Sequence, residues 1–245
     1  RLATKLFGGR AFQTPSGSLL FGFPGFGNAN NVIGNANRGG AEPLRPQVVD
    51  SVEAALSGTP LRQLALEASV YYQRLQDKIE FVQVGPDFFA ANRGTQHSVG
   101  FEASAQTSVG RFTGYLWGAF NWAVGQSAEN PPPLYPNIVA AAGIDIDVPE
   151  AYAHLHARAK VVGPRGPSQS NIYLNNGEPY QLAPYVTMDV TLSTKGLHPF
   201  GPRSETRFLA SARNVTDSRW IEPGFGGIDL PNVGQTYFFE CKQTF

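Results

Sequence analysis

Ile138-Val-Ala-Ala-Ala-Gly-Ile-Asp-Ile-Asp-Val148 decides the fold: Ile138, Ala140, Ala142, Ile144, Ile146 and Val148 occupy alternate positions, while Val139, Ala141, Gly143, Asp145 and Asp147 fall between them. A period of two sends successive side chains to opposite faces of a β-strand. The pattern resumes after Pro149-Glu-Ala151. There Ala153, Leu155, Ala157, Ala159 and Val161 alternate with Tyr152, His154, His156, Arg158 and Lys160. One side of this second segment is wholly apolar and the other almost wholly polar.

Moving outward, Val186, Met188, Val190 and Leu192 alternate with Thr187, Asp189, Thr191 and Ser193. On the N-terminal side, Leu64, Leu66, Ala68, Val70 and Tyr72 oppose Glu67, Ser69, Tyr71 and Gln73, and Val99, Phe101, Ala103 and Ala105 oppose Gly100, Glu102, Ser104 and Gln106. The stretch 112–124 sets Phe112, Leu116, Phe120, Trp122 and Val124 against Thr113, Tyr115, Trp117 and Asn121. Residues 47–57 fit a helix as well as a strand and are read as strand because of their neighbours. The spacing predicts ten strands, near 1–12, 47–57, 63–75, 96–107, 112–125, 138–148, 152–162, 185–194, 206–215 and 236–245. Short connections alternate with long ones, 195–205 being intermediate, so the long loops at 13–46, 76–95, 126–137, 163–184 and 216–235 leave from one end of an antiparallel up-and-down sheet. The long loops are rich in Gly, Pro, Asn and aromatics, as in Phe21-Gly-Phe-Pro-Gly-Phe26, and show no core pattern of their own.

Composition narrows the class. The 245 residues carry 19 Lys+Arg against 19 Asp+Glu, which gives no basic surface for nucleic acid. No apolar run approaches the roughly 18 residues of a membrane helix. A single cysteine, Cys241, excludes an intrachain disulfide framework and any multi-cysteine metal site. The chain starts at Arg1 and has its only methionine at Met188, so it reads as a piece of something longer, without a signal peptide.

A sheet with one apolar face buries it against protein or turns it toward lipid. Strands whose apolar face is mostly alanine fill a close-packed core poorly, whereas lipid chains adapt to small residues. Strands of about 9–11 residues also suit a bilayer crossing. The other face carries Glu67, Glu102, Asp145, Asp147, His154, His156, Arg158, Lys160 and Asp189, which suits a hydrated lumen. The fold expected is therefore all-β, an antiparallel up-and-down transmembrane β-barrel segment of about ten strands from a larger barrel, forming an open curved sheet. Tyr72, Trp122, Tyr185, Trp220 and Tyr237 sit near strand ends as candidates for aromatic girdles.

Few motifs in the chain could carry chemistry. His154 and His156 have a spacing that could chelate a metal, but lumen histidines explain them better, and Asp145 with Asp147 reads as lumen charge. No nucleophile elbow or phosphate loop is present, so no catalytic residue, metal or cofactor is expected. Asn214-Val-Thr216 is formally a glycosylation sequon, and Cys241 falls on the apolar face.

In order along the chain, several landmarks resemble the C-terminal part of the β-barrel of TonB-dependent outer-membrane receptors. These are Gly9-Arg-Ala-Phe12 with Pro15-Ser16, Leu44-Arg-Pro-Gln47, Val52-Glu-Ala54, Tyr71-Tyr72 with Asp77-Lys-Ile79, Gly100-Phe-Glu-Ala103, Pro184-Tyr185 to Asp189, Asn214-Val-Thr-Asp217 and the terminal Phe245. Gln47 stands where the family usually has an acid, and Gln243 departs from the apolar preference of the last strand. The resemblance implies a bacterial outer-membrane importer of a scarce nutrient, for example an iron–siderophore complex. Its small-molecule ligand would bind outer loops, and TonB would act only through a missing N-terminal plug and box. It further implies outer-membrane lipid and the barrel assembly machinery as partners, with Tyr237, Phe239 and Phe245 in the assembly signal. Phe21, Phe23, Phe26, Tyr173 and Tyr180 are the candidate ligand-binding residues of the outer loops. A passive pore or structural barrel is the alternative reading, and a barrel hydrolase with a Ser/His pair a third.

Overall fold

The structure, a computed structural model, describes residues 2–23, 32–37, 42–84, 87–125, 135–167, 180–224 and 228–245. Ten strands form its main sheet: β1 Leu2–Gln13, β2 Gln47–Leu61, β3 Leu64–Gln76, β4 Thr95–Val109, β5 Phe112–Gly125, β6 Ile138–Val148, β7 Ala153–Val162, β8 Tyr185–Thr194, β9 Glu205–Arg213 and β10 Thr236–Thr244. Each strand pairs antiparallel with the one before it, and β1 and β10 are the two edges, so the sheet is an unclosed meander. The expected strands are all present. Among the described residues no helix is long and apolar enough to cross a membrane, which says nothing about strands.

The register carries the alternation through the whole sheet. Leu56, Ala68, Ala103, Gly118, Ala140, Val161 and Val186 form one transverse row. The next row runs Leu66, Ala105, Leu116, Ala142, Ala159, Met188. A third runs Ile144, Ala157, Val190, Ala212, Tyr237. A one-residue slip anywhere would exchange faces, so the in-register rows account for the strict period in the sequence.

No second layer covers this face among the described residues. Leu6 is 77% exposed, Leu116 56% and Phe239 76%. Each such side chain left in water forfeits roughly 1.5–3 kcal/mol of burial. A hydrocarbon environment would remove this cost across ten strands.

The opposite face pairs charges. His156 Nδ1 lies 2.8 Å from Asp145 Oδ1, His154 Nδ1 lies 3.5 Å from Asp147 Oδ1, and Lys195 Nζ donates to Asp147 Oδ2 at 3.0 Å. These cross-strand partners answer both the histidine pair and the aspartate pair of the sequence. Among the described residues no group of three ligating side chains could hold a metal. Two glycines on this face are explained by their neighbours: a Cβ on Gly100 would overlap the Tyr71 ring, and one on Gly143 the Tyr115 ring. Each tyrosine is the register partner of the glycine it covers.

Three departures from the expected pattern have local causes. β2 runs past Gly58 to Leu61 because the register shifts there, and the irregularity takes up Pro60, which has no N–H for a regular ladder. β9 stops at Arg213 because Asn214 takes a φ of 52°. Loop 13–46, expected to be without packing of its own, contains helix α1 Gly17–Phe21 and contributes to a small four-stranded sheet.

Candidate functional site

The described parts of four long connections, 13–46, 76–95, 163–184 and 216–235, form two packed clusters at one end of the sheet. The first is the small sheet. Gly22–Phe23 pairs antiparallel with Val32–Ile33, which lies parallel to Asp87–Asn92, which pairs with Ile79–Val84. Ser16 caps α1, its hydroxyl accepting from Leu19 N at 3.4 Å. Asn35, only 6% exposed, donates its amide to Glu42 O at 3.1 Å and Ala90 O at 3.2 Å, tying loop 13–46 to the hairpin at 79–92. Gly34 has no room for a Cβ against the backbone of Phe21.

Two landmarks separated by 30 residues in the sequence meet at the base of this cluster. Gln47 Oε1 accepts from Ile79 N at 2.8 Å, and Arg45 Nη2 lies 2.7 Å from Asp77 Oδ1. Asn92 closes the joint, accepting from Arg45 N at 2.7 Å and donating to Arg45 O at 3.0 Å and to Asp77 O at 2.6 Å. Gln47 therefore does as an acceptor what an acid at that position would do.

The second cluster joins the segments after β7 and after β9. Arg165, 4% exposed, pairs with Glu222 and donates to Ile221 O at 2.9 Å. The Tyr185 ring stacks on Trp220 at 4.3 Å between centroids with 7° between planes, and the Arg165 guanidinium sits 5.1 Å from the Tyr185 centroid. Tyr185 Oη and Trp220 Nε1 both donate to Glu222 Oε1, at 3.1 and 2.8 Å. Asp189 Oδ1 accepts from Asn214 N at 2.9 Å, so the last two internal landmarks also meet.

These contacts correct the girdle expectation for two residues and give the formal sequon a structural role. Tyr185 pairs with Val162, on the polar face, and both it and Trp220 are engaged inside this cluster rather than in a girdle. Tyr72, Trp122 and Tyr237 do lie on the apolar face. The sequon asparagine, Asn214, is 4% exposed, and its side chain bonds Ser218 N, Ser218 O and Thr216, which makes it a turn residue.

Of the candidate ligand residues, Phe21 is exposed at the end of α1, in the first cluster. Tyr180 lies in the second, donating its hydroxyl to Asp229 Oδ2 at 2.6 Å; burial first, then Asp229, raises its pKa. Phe23 has its backbone in the small sheet, its side chain being outside the described residues, as are Phe26 and Tyr173 altogether. Tyr237, Phe239 and Phe245 are exposed, and Phe239 continues the row of Ala210. Sequence reasoning missed Asn35, Arg45, Asn92, Arg165 and Glu222; the sequence order of the landmarks was the one signal that pointed near them.

Residues 3–215 match the family model described as "TonB dependent receptor-like, beta-barrel". Among solved structures, the FrpB iron transporter from Neisseria meningitidis (F5-1 variant, apoprotein form) superposes with a TM-score of 0.70 at 14% identity over 99% of this chain and 37% of its own. The ferric-catecholate import receptor Fiu from K12 E. coli gives 0.71 at 15% identity, over 99% of this chain and 32% of its own. The ferripyoverdine receptor of the outer membrane of Pseudomonas aeruginosa, bound to ferripyoverdine, gives 0.71 at 11%, over 99% and 31%. The chain thus spans about a third of the length of these structures, and the likeness is one of fold. No curated protein sequence matches the chain.

Proposed function

Because the chain belongs to the TonB-dependent receptor β-barrel family, we propose that it is the C-terminal wall of a bacterial outer-membrane receptor. This receptor captures a scarce nutrient, such as an iron–siderophore complex, at its outer loops and imports it through a plugged barrel with TonB-coupled energy. The observation that carries this reading is the ten-strand register, which gathers apolar side chains on one face and sets two built loop clusters at one end. The long-connection end is then the outer end. Two loop clusters, one held by buried Asn35 and the other by buried Arg165, suit capture of a ligand better than passive diffusion.

In this reading Phe21, Phe23, Phe26, Tyr173 and Tyr180 offer rings and hydroxyls to the ligand. Tyr237, Phe239 and Phe245 serve recognition by the barrel assembly machinery. TonB acts through an N-terminal part that carries plug and box. Family neighbours carry iron-loaded cargo in their names, which supports the ligand class.

The test uses the intact receptor. Alanine at Phe23 and Tyr173 should weaken ligand binding while barrel assembly, followed by heat-modifiable electrophoretic mobility, stays unchanged. Unaltered binding in both variants would remove these residues from the site. Uptake that persists after depletion of TonB would favour a passive pore instead.

A further inference from the structure

The apolar face of the ten strands carries only four Asp, Glu, Lys, Arg or His side chains, and all four stand in one transverse row: Arg10, Asp50, Arg74 and His97 on β1 to β4. Every other charged side chain of these strands belongs to the polar face. The row lies one step toward the outer end from Val52, Tyr72, Val99 and Trp122, two of which are amphipathic aromatics. A charge placed by chance on a lipid-facing wall would be costly near the middle and tolerated at the boundary.

The four groups are not used up by one another. Arg10 engages Asp50 through two bonds, Nε to Oδ1 at 2.6 Å and Nη2 to Oδ2 at 2.9 Å. His97 Nδ1 is 2.7 Å from the Tyr72 hydroxyl. Arg74 is exposed and, among the described residues, has no carboxylate within ion-pair distance; its two terminal nitrogens reach only the Gln76 amide oxygen, each at 3.2 Å once that amide is turned. Two arginines thus stand against the single carboxylate of Asp50, which both of them face, and the row keeps a net positive charge. The Arg74 guanidinium presents a planar fork suited to a phosphate.

We propose that Arg74, which stands between Asp50 and His97 in the row, holds the phosphate of an outer-leaflet lipid headgroup while the lipid's chains lie on Val52, Val70, Val99 and Phe101. The site rests on the outer-membrane reading above. An amphiphile matches both halves of the surface, the charged row and the apolar rows beneath it. A free phosphate would use only the first. Lipid held there would brace β1 to β4 beneath the first loop cluster, since Arg74 and Asp77 are three residues apart on one chain segment.

The test reconstitutes the intact receptor in phosphatidylcholine nanodiscs containing spin-labelled phosphatidic acid or spin-labelled phosphatidylcholine, and compares their association by electron spin resonance. The native receptor should prefer phosphatidic acid. Arg74→Gln should lower that preference by about fivefold, the effect of one basic residue near a surface. Arg74→Lys should restore much of it, and Arg158→Gln, on the polar face, should leave it unchanged. Equal preference in the native and Arg74→Gln proteins would overturn the proposal, as would displacement of the spin-labelled phosphatidic acid by inorganic phosphate. A separate measurement guards the premise. With every other tryptophan of the intact receptor, Trp117 and Trp220 included, replaced by Phe, Trp122 should be quenched by brominated acyl chains. If it is not, the membrane reading fails; if it is quenched and the lipid preference ignores Arg74, only the headgroup site fails.

Discussion

The wall and the loop clusters obey opposite rules. On the wall, apolar side chains such as Leu6, Leu116 and Leu192 stand exposed, and the polar side chains of the other face pair locally across neighbouring strands. In the clusters, the buried groups include Asn35, Arg165 and Asn214, each tied to backbone or side chains far along the chain or across a turn. The wall is specified by pattern, and any apolar residue of tolerable size serves. The clusters are specified by individual atoms, and few substitutions serve. A wall substitution is therefore felt through its face, and a cluster substitution through its partner.

The largest effect should come from violating the face rule. Val190→Arg should destabilise the barrel by roughly 2–4 kcal/mol near the bilayer midplane, whereas Thr191→Arg, on the polar face, should be nearly neutral. Equilibrium unfolding in lipid vesicles measures both, and equal tolerance would erase the distinction between faces. Next, Gly100→Val should cost about 1–3 kcal/mol by driving the Tyr71 ring off the strand it covers. That experiment asks whether the wall also has atom-specific points. Arg165→Met should cost about 1–2 kcal/mol, reduced from the buried-pair range because Glu222 is partly exposed. It should raise proteolysis at 163–184 without altering barrel unfolding, and a shift in barrel stability would join what are here two regions.

The smallest effect is a pH effect. The Tyr180 pKa is raised by burial and by Asp229, so its contribution is complete below the ordinary tyrosine pKa of about 10 and is lost as pH rises through the higher folded value. Alkaline titration should therefore loosen the second cluster before the wall, and Tyr180→Phe should abolish that step. Tyrosinate absorbance alongside proteolysis follows both.

The same contrast explains what the sequence disclosed. The period of two at 138–148 and 152–162 gave strand, face and neighbour together, because each residue's environment repeats every second position. Residues 47–57, equally helical by pattern, were settled only by the strands around them. Nothing periodic marks Arg45 for Asp77 or Arg165 for Glu222, since those pairs join segments 32 and 57 residues apart through single side chains. Tyr185 was misplaced because a tyrosine at a strand end reads alike on either face; its partner Trp220 lies beyond the next strand. The family landmarks came closest, as Gln47 with Ile79 and Asp189 with Asn214 proved to be contacts.

The meander has one more consequence. Because every strand binds only its predecessor and successor, with no crossover in the sheet, girth can change in hairpin-sized increments without disturbing any existing ladder. Duplicating or deleting a pair of strands would widen or narrow the enclosure while leaving each remaining seam intact. Such an architecture can be resized by copying what it already has.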